Sequence, residues 1–255
     1  MHDVEISRSG GVQTLRLTRA AKKNALTVAM YNTLADALDS GDASDDVRVN
    51  VFLGSGGIFS AGNDIAEFLG HAKAGNTSGA ERFIRTLPGV QKPLLAAVDG
   101  PAVGIGTTML FHCDLVYASP TSSFTTPFLD LGLVPEAASS LLMPERMGHV
   151  RAFEMLVLGE TFSAERALEA GVINAVLPHA DLEAKVLAIA QRLAAKAPEA
   201  VMISKRLMRS RAAAVLAHTD EELIAFKERL SSPEAMEAFQ AFLDKRRPDF
   251  AKLKS

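Results

Sequence analysis

The sequence predicts an α/β domain followed by a helical C-terminal region, and three observations indicate this. The early segments "VEIS", "VQTLRL" and "VRVNVFLG" alternate apolar and polar residues or are rich in β-branched ones, which is typical of strands. Strand and helix patterns then alternate along the chain. After Leu177 and Pro178 the pattern is helical, with strong periodicity in "DLEAKVLAIAQRLAAKAP".

The first helix is predicted over "TVAMYNTLADALDSG", after a turn at Gly10 and Gly11. Thr27 is placed to act as its N-cap and Gly41 as its stop signal. The helical period puts four apolar side chains on one face, namely Met30, Leu34, Ala37 and Leu38.

The centre of the fold is predicted in "KPLLAAVDGPAVGIGTTMLFHCDLVYAS". This segment indicates a buried strand over Leu94 to Val98, a turn at Asp99 and Gly100, a helix from about Gly104, and a strand over Leu115 to Ala118.

The C-terminal helices are interrupted at Pro198 and Pro233. The change of pattern near residues 195–198 suggests a core over 1–196 and a helical region over 197–255.

Composition excludes several classes of function. The 255 residues are 48% hydrophobic with a formal net charge of −3, which supports a packed core but gives no general nucleic-acid surface. No apolar run reaches the roughly 18 residues of a membrane span, and the first residues lack a secretory signal pattern. Cys113 is the single cysteine, so no intrachain disulfide can form. We expect a cytoplasmic protein, with Cys113 in the core and no metal site.

Two glycine-bearing stretches could carry chemistry, "GSGGIFSAGNDIAEF" and "DGPAVGIGTTM". Each places flexible glycines between a strand and a probable helix, where backbone N–H groups can point at an anion. Tight turns have the same pattern. Neither stretch has the glycine spacing of a dinucleotide site or the Gly-Lys-Ser/Thr end of a phosphate loop.

Taken together, the motifs resemble the crotonase (enoyl-CoA hydratase/isomerase) superfamily from "NAL" at 24–26 through "RRPDF" at 246–250. They are "KNAL", "FSAGNDI", the central segment above, "LGLVPEAASSLLMPERMG" and "GETFSAERALEAGVINAVLP". The resemblance implies a crotonase-like spiral of ββα units with C-terminal helices that build trimers, often paired into hexamers. It also implies an acyl-CoA thioester substrate and no separate cofactor, because coenzyme A is part of the substrate.

In this family two backbone N–H groups hold the thioester oxygen, and here they map to Asn63 and Ile105. Preorganised donors are needed where negative charge develops on an enolate, and a backbone donor tolerates a change of side chain. The resemblance further implies an adenine pocket near Lys23, Ala25, Asp64 and Ile65. The other substrate-binding candidates are Leu26, Ala61, Gly62, Gly104, Gly106, Thr108 and Phe128.

The sequence departs from the family's hydratases at two positions. Their two catalytic glutamates align with Thr108 and Phe128, which cannot hold and deprotonate a water molecule. Glu136 in "LVPEAASS" instead resembles the single base of the Δ3,Δ2-enoyl-CoA isomerase branch. One carboxylate can move a proton from C2 to C4, and an apolar pocket would raise its pKa.

Alternatives remain open at this point. Glu136 could support a helix start beside Pro135. Asp130 could be a second acid in a weak hydratase, or the chain could bind acyl-CoA without turnover. His112 and His149 are interpreted as structural or surface groups. Some of the basic residues Lys22, Lys23 and Lys245 to Arg247 could contact the CoA phosphates.

Overall fold

The strands form two sheets at the centre of the fold. A computed structural model of the protein describes residues 3–65, 67 and 78–253. The strands in this part of the chain are β1 Val4–Ser9, β2 Val12–Leu17, β3 Val49–Leu53, β4 Leu94–Val98, β5 Pro101–Val103, β6 Leu115–Ala118, β7 Ser123–Thr125, β8 Phe162–Ser163 and β9 Ala175–Val176.

Within the described residues, six of these strands form one sheet and three form another. The larger sheet has the order β1-β2-β3-β4-β6-β9, and its strands are parallel apart from the β1–β2 hairpin. The smaller sheet has the order β5-β7-β8. The chain passes from β4 into β5 and later from β6 into β7, so each pair contributes one strand to each sheet. This repeat is the expected spiral of ββα units.

The helices surround the sheets and make up the C-terminal region. They are α1 Val28–Ala43, α2 Ser78–Thr86, α3 Ile105–Thr108, α4 Ser139–Met147, α5 His149–Leu156, α6 Ala164–Glu169, α7 His179–Ala194, α8 Pro198–Met208, α9 Ala212–Leu230 and α10 Pro233–Leu243. In the described part of the chain, no helix is both long and apolar enough to cross a membrane. The helix predicted within "NDIAEF" falls partly on residues 66 and 68, outside the described residues.

Helix α1 confirms one predicted end and corrects the other. The Thr27 side chain accepts a hydrogen bond from the Met30 backbone N–H, as an N-cap does. The predicted stop at Gly41 is wrong, because the helix continues to Ala43. A Cβ atom at Gly41 would lie 2.7 Å from the Gln13 side-chain nitrogen, so glycine serves close packing on the sheet.

The central strands β3 and β4 of the larger sheet are buried on both faces, which explains their continuous apolar sequences. On one side Val51 and Leu53 of β3 pack against Val186 of α7. On the other side Phe52 joins the main core with the predicted apolar face of α1. The predicted bounds of β4 and β6 are confirmed.

An ionic cluster joins the C-terminal helices to the sheet. Asp114, just before β6, accepts hydrogen bonds from the Leu94 backbone N–H at 2.8 Å and from Lys205 Nζ at 2.8 Å. Arg209 lies 3.0 Å from the other carboxylate oxygen. Lys205 is only 8% exposed, so the Asp114 carboxylate is needed to offset the cost of burying its positive charge.

We expect Asp114→Ala to lower the free energy of unfolding by about 2 to 3 kcal/mol, because it leaves the charge of Lys205 nearly buried and without its carboxylate. Urea denaturation measures this. The matched control is Asp181→Ala, which removes the partner of Lys185 in an exposed pair on α7 and should have a much smaller effect. Equal effects of the two changes would contradict the assignment.

Candidate active site

The two glycine-bearing loops are joined directly to each other. The backbone N–H groups of Phe59 and Ser60 both donate to the Pro101 carbonyl at 3.1 Å, and the Val103 N–H donates to the Ser60 carbonyl at 2.9 Å. Ser60 and Ala102 thereby form a parallel bridge. The register between the loops is therefore fixed by backbone atoms.

Two glycines allow this close approach. Gly62 has a φ of +84°, and a Cβ atom there would lie 2.9 Å from the Val103 carbonyl oxygen. A Cβ atom at Gly106 would lie 3.0 Å from both the Cβ and the carbonyl oxygen of Ser60. Larger residues would push the loops apart and move the neighbouring Asn63 and Ile105.

The "KNAL" segment pairs with the first loop. Ala61 N–H donates to the Lys23 carbonyl at 2.9 Å, and Leu26 N–H donates to the Gly62 carbonyl at 2.8 Å. The buried Asn24 donates through Nδ2 to the Ser55 and Ile58 carbonyls at 3.0 and 2.7 Å. The structure thus brings together the segments predicted to bind the ligand.

Asn63 follows Gly62 in the first loop, and Ile105 is the first residue of α3 after the second loop. Within the described residues, neither backbone N–H has a hydrogen-bond acceptor in the protein. The Asn63 side chain does have a partner, because Tyr31 donates its phenolic hydroxyl to Asn63 Oδ1 at 2.5 Å. Tyr31 therefore fixes a side chain whose role the sequence does not reveal.

Glu136 lies in a buried loop just before α4. Its side chain is almost inaccessible, with 3% of the residue exposed. The next two residues, Ala137 and Ala138, have φ values of 59° and 52° and are fully buried. His112 Nε2 lies 2.7 Å from the Ala137 carbonyl and donates to it. Burial lowers the pKa of His112 to about 3, so this histidine is a neutral support for the loop.

Burial also sets the acidity of Glu136. Loss of water raises the pKa of its carboxyl to about 8, and the negative charge of Glu222 contributes in the same direction. The Thr108 hydroxyl lies 3.5 Å from Glu136 Oε1 and opposes the shift. Glu136 is therefore a stronger base than an exposed glutamate, and its ionised fraction at neutral pH is smaller.

Tyr31 connects Glu136 to the Asn63 loop. The pKa of its phenol is raised well above the ordinary value, mainly by burial and then by the negative charge of Glu136. Thr108 stands one turn after Ile105 on α3 and contacts Glu136 from that side. Glu136 thus has a hydroxyl neighbour on α3 and a neutral phenol on α1 that interacts with it electrostatically.

The family model described as "Enoyl-CoA hydratase/isomerase" matches residues 7–253 of the chain. The chain belongs to the enoyl-CoA hydratase/isomerase family. A solved enoyl-CoA hydratase/isomerase from Pseudoalteromonas atlantica superposes with a TM-score of 0.93 at 38% identity, covering 98% of this chain and all of that one. The fold predicted from the resemblance is confirmed.

Curated relatives of this family member differ in chemistry. Enoyl-CoA delta isomerase 2 of Rattus norvegicus is 36% identical over 94% of this chain and 63% of its own length. The chain thus spans less than two thirds of that relative. A 4-chlorobenzoyl coenzyme A dehalogenase-2 from Arthrobacter is 34% identical over 76% of this chain and 73% of its own length.

Thr108 and Phe128, the positions that align with the catalytic glutamates of the family's hydratases, have different surroundings. Thr108 contacts Glu136, whereas Phe128 is buried in the main core. Asp130 is exposed, and its carboxylate lies near Gly159. Glu136 lies three residues before α4, which begins at Ser139.

The other predicted binding residues of this family member lie near the paired loops. Asp64 forms an ion pair with Arg19 at 2.7 Å, so its carboxylate already has a partner. Lys23 is exposed, Leu26 is buried, and Ala25 and Ile65 are half-buried. Gly104 provides the turn before Ile105 with a φ of +55°.

Cys113 is buried, and this raises the pKa of its thiol to about 12, as expected for a core residue.

Sequence reasoning missed Tyr31 and Glu222. Both lie on the buried face of a helix, where Tyr31 follows Met30 on α1 and Glu222 shares the stripe of Thr219, Leu223 and Phe226 on α9. A carboxylate within such a stripe is a readable signal, because a buried charge requires partners. The sequence does not identify those partners.

We expect the stability of the wild type to depend on pH through Glu136. The carboxyl titrates near pH 8 in the folded chain against an ordinary pKa of 4.5, so the folded state retains a proton that the unfolded state releases. Between these pH values the wild type should lose about 1.4 kcal/mol per pH unit relative to Glu136→Gln. Urea denaturation across this pH range checks the slope. Parallel curves for the two proteins would show that Glu136 is not buried in this way.

Proposed function

We propose that this chain is an enoyl-CoA isomerase that shifts a 3-enoyl-CoA double bond to the 2-trans position in fatty acid breakdown. The observation that supports this most is the buried Glu136, with a raised pKa, beside a threonine where the family's hydratases have a glutamate. Its carboxylate takes a proton from C2 of the thioester. The electrons move towards the thioester oxygen, and the same carboxyl returns the proton at C4.

Oxyanion stabilisation completes the proposed mechanism. The developing charge on the thioester oxygen would be held by the backbone N–H groups of Asn63 and Ile105. The fixed register of the two loops supports this role, because rigid donors cost little reorganisation when charge appears. The reaction needs no net transfer of electrons, so we propose no separate cofactor beyond the coenzyme A of the substrate.

A hydratase remains the main alternative. It would need two carboxylates around a water molecule, and Asp130 is exposed on a short helical turn. Glu222 is a second carboxylate whose negative charge raises the pKa of Glu136. Its Oε1 atom, however, already accepts hydrogen bonds from Ser140, which favours a fixed role. The delta isomerase relatives likewise favour isomerisation.

Replacing Glu136 with Gln tests the proposal. The change keeps the shape but removes the base, so isomerisation of 3-enoyl-CoA should fall by about 10²-fold or more. Ligand binding should largely survive. A spectrophotometric assay with 3-enoyl-CoA and 2-enoyl-CoA substrates separates isomerase, hydratase and non-catalytic binding.

Asp130→Asn is the matched control for this experiment. It should retain most isomerase activity, because one carboxylate carries the proton from C2 to C4. A two-carboxylate hydratase that used Asp130 would lose activity with either change. A folded Glu136→Gln protein with near-normal isomerase activity would refute the mechanism.

We also propose that the chain forms a homotrimer or a dimer of trimers. Apolar side chains such as Ile224, Met236 and Phe242 are more than half exposed on α9 and α10, and burying them would favour assembly. Light scattering should give the mass of three or six chains. A monomer at micromolar concentration would contradict the proposal.

The cytoplasmic location and the division at residue 197 also stay predictions.

A further inference from the structure

Glu222 is a buried carboxylate that the proposed mechanism does not use. It lies on α9 and is 7% exposed. Its Oε1 atom accepts hydrogen bonds from the Ser140 backbone N–H at 2.9 Å and from the Ser140 hydroxyl at 2.5 Å. Glu222 therefore binds the backbone in the first turn of α4.

These contacts act on the loop that carries Glu136. No side chain of α4 or its preceding residue caps this helix, so Glu222 supplies from another element the acceptor that a helix start requires. Ala137 and Ala138 have backbone conformations that are unfavourable for residues with a Cβ atom. Such conformations persist when the surroundings hold them; His112 binds the Ala137 carbonyl, and Glu222 binds the Ser140 N–H that follows.

The same cluster could be mistaken for a nucleophile site. His218 Nε2 lies 2.8 Å from the Ser140 hydroxyl oxygen, and Glu221 lies 3.5 Å from His218 Nδ1. The Ser140 hydroxyl has a single proton, however, and donates it to Glu222. His218 therefore donates to Ser140 and does not take its proton, so Ser140 is not activated as a nucleophile.

We propose that Glu222 is a positioning residue for Glu136: it holds the Ser140 backbone N–H in the first turn of α4 and brings a second carboxyl to the buried loop that carries Glu136. This inference rests on the proposed role of Glu136. Isomerisation requires a carboxylate that is basic enough to remove a proton from C2. A neighbouring negative charge favours the protonated form of Glu136 and so makes its anion a stronger base.

Among the described residues, the charged or titratable neighbours of Glu136 and Glu222 lie on α1 and α9. Tyr31 faces Glu136 from α1 and is neutral, because burial raises its pKa well above the ordinary value. Behind Glu222, His218 lies 3.7 Å from its Oε1 atom, and Glu221 is largely exposed next to His218. Thr108 faces Glu136 from α3 as a neutral hydroxyl.

Glu222→Gln is the decisive variant, because the amide oxygen can still accept from Ser140 while the charge is removed. We expect the acidic limb of the isomerisation rate against pH to move to lower pH by about half a unit or more. At pH 7 this corresponds to a roughly threefold larger ionised fraction of Glu136. The ¹³C NMR signal of the Glu136 carboxyl, assigned by its loss in Glu136→Gln, should titrate with the same shift.

Glu221→Gln is the control, since it removes an exposed negative charge from the neighbouring position of the same helix. It should leave both the rate profile and the NMR titration unchanged. An identical Glu136 titration in Glu222→Gln and the wild type would overturn the inference.

The NMR titration separates this inference from the proposed function. If the wild type did not isomerise 3-enoyl-CoA, the proposed function would fail, while the shift in the titration would still report the coupling of the two carboxyls. If Glu136→Gln abolished activity but Glu222→Gln left the titration unchanged, the function would stand and the role of Glu222 would fail.

Discussion

Backbone pairing between Phe59–Ser60 and Pro101–Val103 is the constraint on which the site depends. It sets the distance between two loops that come from different ββα units. The donors that it positions belong to the main chain, so the geometry survives changes of most side chains. The glycines at 62 and 106 are different, because a Cβ atom at Gly62 would clash with the Val103 carbonyl and one at Gly106 would be tightly packed against Ser60. Steric exclusion therefore controls this half of the site.

Electrostatics controls the other half. Burial makes the Glu136 anion costly, and this cost is the source of its strength as a base. With a pKa of about 8, roughly one molecule in ten has the ionised form at pH 7. The Thr108 hydroxyl partly offsets burial, whereas Glu222 adds to it. Groups from three elements thus set the balance between the base strength of Glu136 and the population of its ionised form.

Local patterns in the sequence predict the elements better than the contacts between them. The bounds of β4 and β6 follow from short apolar runs between turns, and the cap at Thr27 follows from local chemistry. Gly41 misleads because its role lies in packing against β2, which no local pattern shows. Glu136 was identified through family resemblance. Its neighbours Tyr31 and Glu222 were missed, because they approach only after α1 and α9 have packed onto the core.

The contact between Glu222 and Ser140 spans 82 residues of the chain. During synthesis on a ribosome, Ser140 emerges long before its carboxylate partner, so the Glu222 contact cannot form until α9 has been made. A truncated chain that ends before α9 would contain both glycine-bearing loops and Glu136 but lack the Glu222 contact at the α4 N-terminus. Support of the α4 N-terminus is therefore coupled to translation of the C-terminal region, and a chain terminated before α9 would lack it.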